Sequence, residues 1–127
     1  MHNSFTDLII RIKNGYMARK ETILVKKSRF NESILKKLKE LNYVASYEQA
    51  EDAHYYEVSL KYDEGMPAVT EVRIFSKPGR RYYVSYKDLK PVIGGMGYSV
   101  ISTPKGIITN LEAQKEQVGG ELLFNIW

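Results

Sequence analysis

The sequence predicts an α+β protein of two small lobes. Three observations carry this prediction: helical apolar stripes lie in the first 41 residues and one late segment, strand-like alternation fills most of the rest, and a polar break separates the halves at Asp63-Glu64-Gly65-Met66-Pro67. Elements segregated in this way favour α+β over a doubly wound parallel sheet. We expect an N-terminal helix-strand-helix-strands lobe over residues 1–65 and a mainly β lobe with one short helix over residues 66–127.

Two amphipathic helices are predicted in the N-terminal lobe. Ser4 followed by Asp7 is a capping-box variant that starts the first helix, and Ser28 caps the second. A short strand over residues 22–25 lies between them. The apolar stripe of the first helix is Phe5, Leu8, Ile9, Ile12 and Tyr16. The apolar face of the second helix is Phe30, Ile34, Leu35, Leu38 and Leu41.

Strands are predicted from Tyr43 onwards. Residues 43–47 begin a strand pair, and apolar residues alternate with polar ones over residues 55–62. In the C-terminal lobe, residues 69–76 form a strand that ends at the turn Lys77-Pro78-Gly79. Residues 81–84 then form either its hairpin partner or an extended return.

In the last third of the chain, the sequence predicts strands before and after one short helix. Residues 87–89 form a brief helical turn, and residues 98–102 form a strand. Thr109 and Glu112 form a capping box for a short helix that ends near Gln117. Leu122, Phe124 and Ile126 alternate along a final strand.

The most informative segment is a short polar tip between two apolar stretches. Ser102-Thr103-Pro104-Lys105-Gly106 carries two hydroxyls and one cation but no carboxylate. It suits hydrogen bonding to a polar anionic partner, and it lacks a group that titrates near neutrality for acid–base catalysis. A second polar turn, Val118-Gly119-Gly120-Glu121, follows one short helix later. The spacing predicts that the two turns form one binding edge.

Charge is distributed unevenly along the chain of 127 residues, whose net charge is +4. Residues 1–41 carry +6, residues 42–72 carry −6 and residues 73–127 carry +4. If the two basic sections pack on one side, that side would attract phosphate. The alternative is an ordinary solvated surface of mixed sign, which is compatible with the same charges. The absence of cysteine excludes disulfides and thiolate metal sites. We expect neither a membrane span nor a signal peptide.

Enzymatic interpretations find little support. The two histidines, His2 and His54, lie in no motif and are expected to be surface residues. Glu48, Glu51 and Asp52 match no cation-binding loop, so a solvated loop is favoured. Walker, dinucleotide-binding and G-x-S-x-G patterns are absent. The sequence therefore predicts no enzyme, no metal and no cofactor.

Nucleic-acid binding finds more support. The segment Lys77-Pro78-Gly79-Arg80-Arg81-Tyr82-Tyr83 combines guanidinium groups that pair with phosphates and rings that stack on bases. The alternative is a basic turn whose tyrosines pack on the core. The polar tip suits RNA because 2′-hydroxyls and base edges both donate and accept, although it is also compatible with a plain hairpin tip. Glu121 either accepts from an exocyclic amino group or simply begins a strand.

The order of these motifs resembles one family, small-subunit ribosomal protein eight of the bacterial or organellar type. The resemblance spans almost the whole chain. It rests on Ser76-Lys77-Pro78-Gly79, Arg81 and Tyr83, Gly95-Met96-Gly97, the polar tip and Gly119-Gly120-Glu121. The N-terminal pattern from Asp7 through Arg11-Ile12-Lys13-Asn14 resembles the first helix of the family, and residues 28–41 its second.

The resemblance implies a structural constituent of the small ribosomal subunit that acts as a monomer within it. It would bind a stem in the central domain of small-subunit ribosomal RNA and support subunit assembly and translation. Its neighbours would be small-subunit proteins five and twelve. The location would be the ribosome of a bacterial cytoplasm or an organelle such as the mitochondrial matrix. The alternatives are a messenger-RNA-binding translational repressor outside the ribosome and a module that binds an acidic protein.

The resemblance also implies which residues bind RNA. Ser102, Thr103, Lys105 and Gly106 would contact the stem, with Gly120 and Glu121 lining the same site. Arg81 and Tyr83 would flank it, and Arg11, Lys13 and Asn14 would touch the RNA backbone from the first lobe. One departure is Pro104, where the family usually has a second serine, so one hydroxyl and one N–H donor are missing. Proline also stiffens the tip and lowers the conformational entropy lost on binding.

Overall fold

The apolar stripe of the first helix is buried, as predicted. The fold is a computed structural model that describes residues 3–127, in which helix α1 spans Asn3–Met17. The helix already includes Ser4, so the cap predicted at that residue is wrong. The stripe packs away from water because its spacing places it on one side of the helix. Its residues are at most 3% exposed: Phe5, Leu8, Ile9, Ile12 and Tyr16.

The second helix, α2, spans Arg29–Glu40 and begins where the sequence predicts. The Ser28 side chain accepts a hydrogen bond from the Asn31 backbone N–H, which satisfies one of the open donors of the first turn. The buried Asn31 side chain donates to the carbonyl of Lys26 at 2.9 Å and so ties the helix to the preceding strand. The apolar face of α2 is therefore held in a fixed orientation.

One three-stranded antiparallel sheet completes the packing of this part of the chain. Strands β1 (Thr22–Lys26), β2 (Ser46–Gln49) and β3 (Tyr55–Ser59) lie in the order β1-β3-β2. Tyr56 and Val58 are buried and their neighbours are not, which confirms the predicted alternation. The predicted polar break forms a small hairpin, β4 (Tyr62–Asp63) and β5 (Met66–Pro67). The chain divides into two compact units between Val69 and Thr70.

The second unit is built around one long final strand. Strands β6 (Val72–Ile74), β7 (Tyr83–Val84), β8 (Tyr98–Thr103), β9 (Gly106–Thr109) and β10 (Gly120–Ile126) are all antiparallel to their neighbours. The order is β6-β10-β8-β9, and β7 also pairs with β10. Because β6 and β7 both pair with β10, residues 81–84 form an extended return and the hairpin alternative is wrong.

The late helix α3 spans Asn110–Glu116 and has the predicted capping box. Thr109 accepts from the Glu112 N–H, and the Glu112 carboxylate accepts from the Thr109 N–H at 2.9 Å. A 3-10 turn covers Tyr86–Asp88, where the sequence predicts a helical turn. The core beneath α3 is Leu89, Ile101, Ile108, Ala113 and Leu122. The predicted α+β class is confirmed, with helices concentrated in the N-terminal part and a mostly β C-terminal part.

One buried hydroxyl connects three segments of the first unit. The Tyr16 hydroxyl donates to the carbonyl of Tyr43 at 2.6 Å and accepts from the backbone N–H of Lys61 at 2.9 Å. Tyr16 is 3% exposed, so water does not readily replace either partner. Helix α1 is thereby joined to the chain before β2 and to the chain after β3.

Tyr16→Phe tests this connection. The substitution keeps the ring but leaves the Tyr43 carbonyl and the Lys61 N–H without their partner, so we expect the free energy of unfolding to fall by about 1–3 kcal/mol. Denaturation in urea measures the fall. Tyr83→Phe is the matched control because the Tyr83 side chain is exposed in the second unit. Equal effects of the two substitutions would contradict the prediction.

The same residue predicts a pH dependence. Burial raises the pKa of Tyr16 above its ordinary value of 10.0 because it disfavours the phenolate. The unfolded chain therefore ionises first, so the contribution of Tyr16 is complete below pH 10 and is lost as pH rises through the folded-state pKa. Urea titrations above pH 10 should show a smaller loss of stability in Tyr16→Phe than in the wild type.

Candidate nucleic-acid interface

The polar tip is a tight hairpin between β8 and β9. Thr103 pairs with Gly106, which leaves Pro104 and Lys105 as the two turn residues. Neither turn residue has a positive φ, whereas Gly106 has φ +120°. Proline at the second position and glycine at the fourth are typical of a type I turn. Pro104 and Gly106 therefore both favour this turn geometry.

The Thr103 hydroxyl holds this turn from the inside. It accepts from the Lys105 backbone N–H at 3.1 Å and donates to the Gly106 carbonyl at 2.9 Å. A hydroxyl has one donor, and here the protein already uses it. Thr103 can therefore offer a ligand only an acceptor lone pair, and its main effect is to shape the tip.

Lys105 carries the positive charge of the tip outward. Its side chain is 68% exposed, and its Nζ lies 4.0 Å from Oε1 of Glu116 on α3. An exposed ion pair of this length contributes little to stability, so the ammonium group is available to a phosphate. The sequence did not indicate that Glu116 lies beside the tip. The capping box fixes the start of the helix, but no local pattern places its last turn beside the tip.

Gly119 and Gly120 allow β10 to enter between two other strands. A Cβ on Gly119 would lie 2.5 Å from the Val84 carbonyl oxygen, and a Cβ on Gly120 would overlap the Ser102 carbonyl oxygen. Both obstacles are backbone atoms that take part in the sheet, so they cannot move aside without opening it. The two glycines are therefore required by close approach. They bring the second polar turn alongside the tip, as the spacing predicted.

Glu121 lies inside this edge. Its register partners are Ser102 on β8 and Tyr83 on β7, and its side chain is 4% exposed. Oε2 lies 3.6 Å from Nη1 of Arg81, whose side chain is 34% exposed. The buried carboxylate thus attracts the more exposed guanidinium group. Most of the carboxylate surface is shielded from a ligand. The sequence named both residues but did not predict that they pair.

Tyr83 extends the edge at the side of β7. Its side chain is among the most exposed large apolar groups of the described residues, at 69%. A tyrosine ring so exposed offers a face for stacking on a base or sugar. The structure therefore brings together the sequence-predicted residues of the second unit: Arg81, Tyr83, Ser102, Thr103, Lys105, Gly106, Gly120 and Glu121.

The predicted residues of the first helix separate into two groups. Arg11 and Asn14 line a groove of about 530 Å³ between α1 and β1, together with Lys20. Lys13 does not line this groove, because two helical steps place it on another side of α1 from Arg11. Helical periodicity alone was sufficient to place Lys13 on a different side of α1 from Arg11. Lys20 lies after the helix, so helical periodicity did not predict that it lines the groove. Arg11 also pairs with Asp7 at 2.8 Å.

Among the described residues outside this edge, His54 and Asp52 form an exposed pair. His54 is exposed and its Nδ1 lies 2.9 Å from Oδ1 of Asp52, and His2 lies outside the described residues. Hydrogen bonds from the His54 backbone and ring lower the pKa of Asp52. Residues 3–127 contain no group of three or more side chains that could hold a metal ion. Within the same range, no helix has the length and hydropathy required to cross a membrane.

Comparison with known proteins gives one consistent result. The family profile described as "Ribosomal protein S8" matches residues 3–127. "Small ribosomal subunit protein uS8" of Afipia carboxidovorans is 41% identical, over 99% of this chain and 98% of its own length. The protein of the same name from Dictyoglomus thermophilum is 42% identical, over 95% and 94%. "Small ribosomal subunit protein uS8c" of Tupiella akineta is 38% identical, over 100% and 99%.

Gly120→Ala tests the close approach at the start of β10. Since the added methyl group meets the Ser102 backbone, we expect the free energy of unfolding to fall by about 2 kcal/mol or more. Gly65→Ala is the control, because a Cβ there meets no atom within 4 Å and only the positive φ opposes it, a cost of about 1–2 kcal/mol. Urea denaturation compares the two variants. A Gly120→Ala protein more stable than Gly65→Ala would refute the close-packing argument.

Proposed function

Because the chain belongs to the ribosomal protein S8 family, we propose that it binds a stem in the central domain of small-subunit ribosomal RNA and supports subunit assembly. Family membership itself makes the chain a structural constituent of the small ribosomal subunit with a part in translation. The same membership confirms the predicted family and the prediction that the chain is not an enzyme. The specific RNA site is the new element of the proposal.

The observation that carries the proposal is the arrangement of charge on the edge formed by the polar tip, β7 and the start of β10. Lys105 and Arg81 present cations there, while the nearest acid along the sheet, Glu121, is shielded. Phosphates are attracted to such a surface, where Glu121 is shielded and Glu116 of α3 is an exposed acid beside Lys105. Ser102 and the backbone of the tip add the short-range polar groups that a 2′-hydroxyl requires.

Each residue of the edge then has a physical role. Lys105 contacts phosphate, Ser102 and Gly106 contact sugar or base edges, and Tyr83 stacks. Thr103 sets the shape of the turn, and Gly120 admits β10 between its neighbours. Glu121 acts on RNA chiefly by orienting Arg81, since a carboxylate that is 4% exposed has little surface for a base.

A separate contact is proposed for the first unit. Arg11 and Asn14 share one groove with Lys20, and two cations beside an amide suit a sugar–phosphate backbone. Lys13 contacts the backbone from another side of α1. The proposed neighbours are small-subunit proteins five and twelve, which crosslinking in intact subunits would identify. The proposed location is the ribosome of a bacterium or of an organelle, the mitochondrion included, where the chain acts as a monomer.

Lys105→Ala tests the contact with phosphate. Loss of one charge-assisted hydrogen bond should weaken binding to small-subunit ribosomal RNA by about 1–3 kcal/mol. The slope of log affinity against log salt concentration should also become shallower by about 0.7–0.9, the contribution of one phosphate. Filter binding over a range of salt concentrations measures both. Lys39→Ala, an exposed lysine on α2, removes the same charge and should leave both quantities nearly unchanged. Equal affinity of the wild type for transfer RNA would refute the proposed specificity.

Glu116→Gln should have the opposite effect. The Glu116 carboxylate lies 4.0 Å from the Lys105 ammonium and competes with phosphate for it. Its neutralisation should strengthen RNA binding several-fold at low salt, and the gain should shrink as salt screens the charge. Glu40→Gln, a change of the same charge at the end of α2, is the control. An affinity that falls in Glu116→Gln would show that Glu116 supports binding and does not compete with it.

A further inference from the structure

The second unit contains a pocket beside the proposed RNA-binding edge, and of the residues named for that edge only Tyr83 also lines the pocket. It has a volume of about 500 Å³, and its floor includes Ser99, Leu122 and Asn125. Phe75 and Tyr82 form one wall, and the segment from Asp88 to Val92 forms another. The volume and the mixture of aromatic walls with a few polar groups fall within the range of sites that bind small planar ligands.

A row of polar residues crosses the sheet at the floor. Register places Arg73, Asn125 and Ser99 side by side on β6, β10 and β8. Ser99 is 4% exposed, and its hydroxyl donates to Oδ1 of Asn125 at 2.6 Å. This bond fixes the side-chain amide of Asn125. The Nδ2 group of Asn125 donates to no protein atom among residues 3–127. The floor therefore presents amide N–H donors beside the apolar Leu122.

The wall is an aromatic pair backed by a cation. The rings of Phe75 and Tyr82 have centroids 5.3 Å apart and an interplanar angle of 58°. The guanidinium carbon of Arg73 lies 5.0 Å from the centroid of the Phe75 ring. Tyr82 is 47% exposed, so part of its ring is open to a ligand. This wall offers a stacking surface with positive charge next to it.

The opposite wall is fixed before any ligand arrives. Helix α3 holds it through Gln114, whose Nε2 donates to the Leu89 carbonyl at 2.9 Å, and through Asn110, whose Nδ2 lies 3.4 Å from the Lys90 carbonyl. Val92 at its far end is buried. Because this wall is already in place, it loses little conformational entropy when the pocket is filled.

We propose that this pocket accepts one unstacked nucleobase of the bound RNA. The base stacks on Tyr82, and the Asn125 amide donates to an acceptor on the base edge. Arg73 and Lys90 supply positive charge near the nucleotide phosphate, partly offset by Asp88. These cations favour a nucleotide over an aromatic side chain of a neighbouring protein. The inference rests on the proposed RNA binding but concerns a different set of residues from the polar tip.

The test uses the full chain bound to small-subunit ribosomal RNA, with chemical probing of unpaired bases. Wild-type protein should protect one unpaired base that becomes reactive again with Asn125→Leu and with Tyr82→Leu. Affinity should fall about tenfold or more in each variant, as expected for loss of a stacked base. Tyr55→Leu, on the sheet of the first unit, is the control and should keep the protection. Unchanged melting temperatures show that the variants are folded. If Asn125→Leu is unstable, Tyr82→Leu carries the test, because its side chain is half-exposed and its loss disturbs the core less.

Each result is decisive. If wild-type protein binds the RNA and both variants protect the same bases with the same affinity, the pocket assignment is overturned and the proposed function stands. If wild-type protein does not bind the RNA, the proposed function fails and the pocket assignment fails with it. Ultraviolet crosslinking in intact subunits gives a second readout. A nucleotide attached to Tyr82 itself, and not to the neighbouring Tyr83 of the edge, supports the assignment, and a peptide of another protein attached to Tyr82 contradicts it.

Discussion

The entry of β10 between β7 and β8 is the constraint on which the second unit depends. Three strands, β6, β7 and β8, pair with β10, and β7 and β8 both pair with it at Glu121. Only residues without side chains fit there, because the atoms that a Cβ would meet at Gly119 and Gly120 belong to the backbones of Val84 and Ser102. Once β10 is seated, its next residue, Glu121, is necessarily placed between Tyr83 and Ser102. The position of the proposed RNA-binding edge is thus a consequence of sheet packing.

The same packing explains how an acid is tolerated in an edge that attracts phosphate. An exposed carboxylate at Glu121 would repel RNA, and a buried one without a cation would be costly. With Arg81 held 3.6 Å away, the guanidinium group offsets the buried negative charge and remains partly open to solvent. The acid therefore determines where the positive charge lies. Glu116 differs because its carboxylate is exposed next to Lys105 and would oppose the proposed RNA ligand.

The local features of the fold were predictable, and the pairings between distant segments were not. The stripe of α1, the Ser28 cap and the Thr109–Glu112 capping box each depend on residues within a few positions of one another. The pairing of β6 and β7 with β10, by contrast, joins segments that no local pattern relates.

The candidate site divides in the same way. The candidate residues follow from the ordered motifs, but the pairing of Arg81 with Glu121 and the internal hydrogen bond of the Thr103 hydroxyl depend on how the strands meet. From the sequence alone, a hydroxyl at a hairpin tip is compatible with a hydrogen bond inside the turn and with one to a ligand. Here the short distance to the Gly106 carbonyl decides for the turn, and Pro104 adds a fixed φ to the same turn. Since the turn is already restrained, the proposed contact with RNA would lose less entropy on ordering, which would offset the hydroxyl that a serine at position 104 would supply.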